Sequence, residues 1–267
     1  MNLTKEDAEV DPFNHAWGHM ERGKLYVKID DDVVWMADDT IPRMVHMKIK
    51  NPEYFMVSAN VINSPLMGFI HQHIGAIHPY LPDYQEVTQL HPAERDEATA
   101  IPPGSLWKYS SYPSWEGPDD FAFPLNQNPP FQGHRWLRLQ NASQIQRTPI
   151  REIEYATWGT GLKSWAIVAQ EHYSFLENLM EDQLNLYRFG RVWFSNYDRL
   201  SINLMVVSAD EVLDNLPMDV IDEEWLTQAL PMKLGKSVAI DTEVSFTFFW
   251  SMLHLVWSTQ LLIFWPC

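Results

Sequence analysis

The stretch Lys28-Ile29-Asp30-Asp31-Asp32-Val33-Val34-Trp35 holds the residues best able to do chemistry. Three consecutive carboxylates lie between apolar runs, Tyr26-Val27 with Ile29 before them and Val33-Val34-Trp35 after. Runs of β-branched and aromatic residues predict strands. Each acid in that setting must be solvated or neutralised. A hard divalent cation, Mn²⁺ or Mg²⁺, does this through carboxylate oxygens and keeps positions open for phosphate. Strand side chains alternate between faces, so Asp30 and Asp32 are expected to point together and Asp31 away. The competing reading is an acidic turn between two strands.

Further candidates follow along the chain. Asp38-Asp39-Thr40-Ile41-Pro42 opens a helix expected to run to about Lys50, with Ile41, Met44, Val45 and Met47–Ile49 as its apolar face. Asn51-Pro52 ends it. Tyr54–Val61 then predicts a buried strand closing on Asn60 and Asn63. Strand, helix and strand together predict a βαβ unit, a parallel sheet and a site at the carboxyl strand ends. On that basis Asp30–Asp32 and Asn60–Asn63 are candidates for one rim. His71 and His73 have the spacing of a zinc pair and His78 follows, but no second cluster accompanies them, so they read as core or surface histidines. Trp165–Tyr173 is an apolar stretch running into helical spacing at Ser174–Leu179, which places Glu171 and His172 near a helix start as a base or ligand. A favourable acid in a first helical turn is the plainer alternative. Leu200–Val207 predicts another buried strand.

These elements belong to a chain large enough to bury a core. With 267 residues, 46% of them hydrophobic and 20% charged, it reads as one globular domain with a small appendage. The net charge of −16 argues against a nucleic-acid surface, which needs a basic patch, but leaves room for nucleotides bound through a metal. Cys267 is the single cysteine, which excludes an intrachain disulfide or a thiolate zinc site. The first residues lack a basic stretch followed by an apolar one, so no signal peptide is visible. Asn2-Leu3-Thr4 and Asn141-Ala142-Ser143 match glycosylation sequons, which matter only in a secretory compartment. From Leu81 to Gln132 the chain is rich in proline, glycine and aromatics, a long loop in which Tyr109, Tyr112, Trp115, Phe121 and Phe131 either line an acceptor cleft or cover the core.

Two chemistries fit this skeleton. A haloacid-dehalogenase-type phosphatase uses an apolar strand, Asp-x-Asp and a later Asp-x-x-x-Asp; Asp30 and Asp32 match the first part, Asp210 and Asp214 the last, with Ser58 and Lys163 between. A nucleotide-sugar glycosyltransferase of the GT-A type uses Asp-x-Asp to hold Mn²⁺ or Mg²⁺ on a diphosphate, stabilising the leaving nucleotide. Longer segments favour the second. Val10–His15, Lys24–Trp35, Val57–Pro65, Ile77–Pro82, Trp165–Leu179, Arg199–Asn203 and Pro231–Gly235 resemble a family of fungal glycosyltransferase-like proteins, in order, over roughly Val10 to Asp241.

The resemblance implies an α/β, GT-A-like mixed sheet flanked by helices over 1–241, with 81–132 as its long loop and 242–267 as a hydrophobic tail. It implies Asp30, Asp31, Asn60 and Asn63 toward the donor, and Asp30, Asp32 and a late histidine, His254, toward the metal. Partners would be a nucleotide-sugar donor and a glycan or small-molecule acceptor, with no nucleic acid. Such domains carry their first nucleotide-binding units before the Asp-x-Asp strand, so truncation at the N-terminus with loss of activity is expected, and an inactive carbohydrate-binding or interaction protein is a further alternative. The stretch 244–266 has no charged residue and reaches the length of a membrane span, so membrane contact, a buried end and a gene-prediction artefact are all open.

Overall fold

The computed structural model describes residues 12–83, 113–126, 136–190, 192–248 and, for the backbone, 261–265. In chain order the strands are β1 (Leu25–Ile29), β2 (Val33–Met36), β3 (Tyr54–Val61), β4 (Tyr80–Pro82), β5 (Trp136–Arg138), β6 (Trp193–Phe194), β7 (Leu204–Ser208), β8 (Ser237–Phe248) and β9 (Leu261–Trp265). The helices are α1 (Thr40–Lys50), α2 (Pro65–His73), α3 (Thr160–Lys163), α4 (Trp165–Met180), α5 (Ala209–Leu213), α6 (Asp222–Glu224) and α7 (Leu230–Leu234), with a π-helical stretch Trp225–Ala229 joining the last two. The chain divides into two compact units, Met1–Ser64 with Tyr187–Cys267, and Pro65–Leu186.

The first unit is mixed α/β. Its open sheet has the order β2-β8-β3-β7-β1-β9, and β6 also pairs with β8. The pairs β3–β8 are parallel and the others antiparallel. The expected βαβ relation exists in altered form. β1 and β3 both run antiparallel to β7, which lies between them, so β1 and β3 are parallel to each other. β2 runs antiparallel to β8 and hence to β3, so the strand just before α1 is not the parallel partner.

Helix α1 covers one face of this sheet. Met44, Val45 and Lys48 are buried on it at helical spacing, and Met44 and Val45 join Val27, Val57, Ala59, Val61, Leu204, Val206 and Ala239 in the core. The expected apolar face shifts at its end: Ile49 is exposed and Lys48 is buried instead. Lys48 tolerates this because its Nζ reaches the Tyr54 carbonyl and, at 3.0 Å, Glu211 Oε2. Asn51 closes the helix by donating from backbone N and side-chain Nδ2 to the Met47 carbonyl, at 3.0 and 2.8 Å.

The boundary expected at 241/242 falls inside β8, which continues to Phe248, while β9 pairs residue for residue with β1. Among the described residues no helix is long and apolar enough to cross a membrane. The predicted strand Leu200–Val207 begins only at Leu204. The carbonyls of Ile202 and Asn203 are taken by Lys28 Nζ and the Asp30 backbone N–H, which bind them before the ladder starts.

The second unit is built on α4, a helix of 16 residues, with α2, α3 and the two-stranded sheet β4–β5. The apolar stretch Trp165–Tyr173 is helical, so Glu171 and His172 lie in the middle of α4, not near its start. A continuous apolar run does not separate a buried strand from a helix buried all round. Part of the long loop is ordered against the core: Leu81, Trp115, Leu137 and Leu139 form one buried cluster, and Trp115 Nε1 donates to the Pro82 carbonyl at 3.0 Å. Tyr109, Tyr112 and Phe131 lie outside the described residues.

Candidate functional site

Asp30, Asp31 and Asp32 form the turn between β1 and β2, with Val33 N–H donating to the Asp30 carbonyl at 3.2 Å. The turn is anchored on the far side of β1. Asp30 N–H donates to the Asn203 carbonyl at 2.8 Å. Asn203 Nδ2 donates to Asp32 Oδ1 at 3.1 Å and lies 3.4 Å from its Oδ2. One residue before β7 therefore holds two of the three acids.

Lys28 supplies the positive charge. It sits in β1 two residues before Asp30, its side chain is buried, and its Nζ ion-pairs Asp30 Oδ1 and donates to the Ile202 carbonyl at 3.1 Å. Asp222 and Glu223 extend the cluster. Trp17 Nε1 donates to Asp222 Oδ2 at 3.4 Å, and Arg199 Nε donates to Glu223 Oε1 at 2.6 Å.

The electrostatics are those of acids short of cations. Burial raises Asp30 above the usual carboxylate range; Lys28 opposes the shift, and the charges of Asp32 and Asp222 reinforce it. Burial likewise raises Asp32, with the Asn203 hydrogen bond opposing it and Asp31 reinforcing it. Glu223 is raised by burial against the opposing Arg199. A carboxylate in this state gains from added positive charge.

The rim expectation can be followed through the topology. Because β1, β3 and β8 share one direction, their carboxyl ends lie at the same edge of the sheet, where β7 begins. Asp30–Asp32 follow β1, Asn60 and Asn63 lie at the end of β3, and Ser245 and Thr247 lie at the end of β8. Asn60 is buried and donates to the Tyr187 carbonyl at 2.8 Å, with Ser245 Oγ at 3.5 Å. Asn63 Oδ1 accepts from Thr247 Oγ1 at 3.1 Å. Both amides thus brace the rim. His254 lies outside the described residues.

Glu171 and His172 belong to the second unit. Glu171 is fully buried, its Oε1 has no hydrogen-bond partner among the described residues, and its carboxyl packs on Gly68. Burial holds its pKa well above the ordinary value. Such a surrounding favours its protonated form, which does not suit it to act as a base. His172 is half-buried one residue on. In the same unit His71 is buried, His78 is part of a polar network with Asn178, Arg138 and Glu177, and His73 Nδ1 lies 2.8 Å from the Phe69 carbonyl.

The donor set of the turn is chemically suited to a hard cation: the Asp32 carboxylate accepts from the Asn203 amide and a backbone N–H, neither of them a cation, and Lys28 pairs with Oδ1 of Asp30. It is a small set. Among the described residues no group of three or more His, Cys, Asp or Glu gathers as a ligand cluster. Sequence reading missed Lys28, Asn203, Asp222, Glu223 and Arg199 as members of the site. The signal for Lys28 was a lysine inside an apolar strand two positions before an acid, and that for Arg199 and Asn203 was their place in one family-like segment. Comparison with family models, with curated proteins and with solved structures returns no match.

Proposed function

We propose that the chain is a metal-dependent glycosyltransferase-like protein of the GT-A type, acting on a nucleotide-sugar donor with a glycan or small-molecule acceptor. The observation that carries this reading is the pair Asp30 and Asp32, held in one turn at the carboxyl end of β1 and facing Asn203 at the start of the antiparallel β7. A mixed sheet with its carboxyl strand ends gathered at one rim is consistent with such a fold. Asp32 would contact Mn²⁺ or Mg²⁺ most directly, with Asp30 beside it. Bound there, the cation would neutralise charge on the leaving diphosphate. Asn203 fixes the Asp32 carboxylate through its amide. Lys28 lowers the repulsion between the two acids before any cation binds.

A second reading, a carbohydrate-binding or interaction protein without turnover, is favoured by Lys28 itself, since its ammonium already partly neutralises Asp30. The phosphatase reading has less support. Asp210 and Asp214 pair with Arg22 before β1, and Ser208 is opposite Leu25, so they lie at the other end of the strand from Asp30. Ser58 is buried and donates to the Leu204 carbonyl at 3.1 Å, and Lys163 belongs to the second unit.

The test is calorimetric titration of Mn²⁺ with a nucleoside diphosphate sugar present, alongside assays for release of nucleoside diphosphate and for hydrolysis of an aryl phosphate. Asp30→Ala with Asp32→Ala should abolish Mn²⁺ binding. Asn203→Ala should weaken it by roughly 10–100-fold, the usual effect of losing a group that orients a ligand. Unchanged titration in the double variant removes the site, and aryl phosphate turnover lost in Asp30→Asn replaces the transferase reading.

A further inference from the structure

The second unit contains a cleft of about 340 Å³ lined by Phe121, Phe123, Asp120, Gln146, Arg147 and Arg151 among others. We propose that this cleft binds a neutral carbohydrate of one to three rings. The inference goes beyond the Asp30–Asp32 reading and does not depend on it.

The aromatic side of the cleft is fixed from behind. Phe121 packs on Trp115 with ring centroids 5.4 Å apart, and Phe123 packs on Trp165 and Trp136 at 5.7 and 5.9 Å. Both phenylalanines are half-buried and line the cleft. A sugar ring presents an apolar C–H face to such a surface, and rigid rings bind it at low entropic cost.

The polar side has the complementary chemistry. Sugar hydroxyls donate and accept at once, and planar carboxylate, amide and guanidinium groups answer neighbouring hydroxyls in pairs. Asp120 and Gln146 are exposed, line the cleft and have no side-chain partner among the described residues. Arg147 is held in place: it donates to the Pro118 carbonyl at 3.0 Å, pairs with Asp119 at 3.5 Å and lies 5.6 Å from the Trp115 ring. Arg151 pairs with Glu152 at 2.9 Å.

Charge selects the class of ligand. Asp119, Asp120, Glu152, Arg147 and Arg151 all line the cleft, and with Arg147 paired to Asp119 and Arg151 to Glu152 only the charge of Asp120 is left over. Neither a phosphorylated ligand nor a polyamine finds a matching field there. The size matches too, since pockets of about 300 Å³ are the smallest that enclose a small molecule.

The experiment titrates the full chain, without metal or nucleotide, with neutral trisaccharides of glucose, mannose, xylose and N-acetylglucosamine, and with a trisaccharide of uronic acid. Calorimetry and amide chemical-shift changes read the binding. At least one neutral trisaccharide should bind with a Kd of about 1 mM or tighter. Asp120→Ala and Gln146→Ala, both at exposed positions, should each weaken it by about tenfold, a loss of about 1.4 kcal/mol. The proposal fails if no neutral trisaccharide binds, if the acidic one binds better, or if neither substitution moves the affinity. Because no metal or donor is present, failure here leaves the Asp30–Asp32 test untouched.

Discussion

Lys28, buried within β1, and Asp30, half-buried just past the end of that strand, form an ion pair at the foot of the acidic turn. The pair decides how three adjacent acids can exist at the edge of an apolar sheet. Without the ammonium, Asp30 would face Asp32 and Asp222 with only burial around it, and all three influences favour its neutral form.

Removing Lys28 is therefore expected to cost more than its own contacts. Lys28→Met leaves a half-buried carboxylate without its cation, which should cost somewhat less than the roughly 3–5 kcal/mol of breaking a fully buried pair. The cost should depend on pH in a defined direction. Asp30 in the variant has a folded pKa raised further above its unfolded value of about 3.9, so folding is fully favoured below that value and loses stability as pH rises through the folded pKa. Urea unfolding at pH 8 and pH 5 should show the larger deficit at pH 8. Lys28→Met with Asp30→Asn should recover much of it, and a deficit independent of both pH and Asp30 would contradict the pairing.

The acids themselves were legible in the sequence, but the strand with alternating faces gives way to the competing reading, a turn between β1 and β2, and the shared rim arises from β1 and not from β2, the strand that precedes α1. What the sequence did not reveal were the partners. Asn203 meets Asp32 across a chain separation of 171 residues, and no local pattern encodes that contact. Lys48 was hidden for another reason: a lysine between Met47 and Ile49 reads as solvated until Glu211 and the Tyr54 carbonyl are known to receive its charge. Glu171 was misplaced along its helix because Trp165–Val168 is buried and apolar without the spacing that separates helix from strand.

Glu171 gives a second prediction. Its pKa is raised by burial alone, so its protonated form is favoured by folding. That contribution is complete below the unfolded value of about 4.3 and is lost as pH rises toward the folded pKa. Glu171→Met should accordingly be more stable than the parent at pH 7, by about 1–3 kcal/mol, with a smaller gain at pH 4, where both the folded and the unfolded parent carry the proton. Thermal unfolding at the two values checks this. Equal gains at both would mean that packing and not ionisation sets the difference.

Gly68 gives a third, because it is the surface on which that carboxyl rests. A Cβ there would overlap Glu171 Oε1 and come within 3.0 Å of its Cδ and 3.1 Å of Ile153 Cδ1. Gly68→Ala should destabilise by about 1–3 kcal/mol, as overpacking of a filled core does. Glu171→Ala in the same chain opens space for the methyl, so the two substitutions should cost less together than the sum of their separate effects. A strictly additive double-mutant cycle would place the carboxyl elsewhere.

The last prediction concerns His78, whose protonation state is fixed by its neighbours. Asn178 Nδ2 donates to the Ala76 carbonyl at 2.8 Å, which turns Asn178 Oδ1 toward His78 Nε2 at 2.7 Å. Nε2 must therefore carry the proton. On the other side Arg138 NH2 lies 3.3 Å from Nδ1, and a guanidinium only donates, so Nδ1 accepts. A second proton on Nδ1 would place an N–H against a cation. Burial lowers the pKa of His78 first; Glu177 and the Asn178 hydrogen bond oppose the shift, and the charge of Arg138 reinforces it. A folded pKa below the unfolded value of about 6.5 means that the contribution is complete above 6.5 and is lost as pH falls through the folded pKa. Helix α4, which carries Asn178 and Glu177 and holds the His78 backbone through Gln170 and Ser174, should feel that loss. Its amides should exchange faster at pH 5 than at pH 7.5 after correction for intrinsic rates, and His78→Gln should weaken this dependence. A ring titration by NMR showing His78 at or above 6.5 would reverse the sign and refute the assignment.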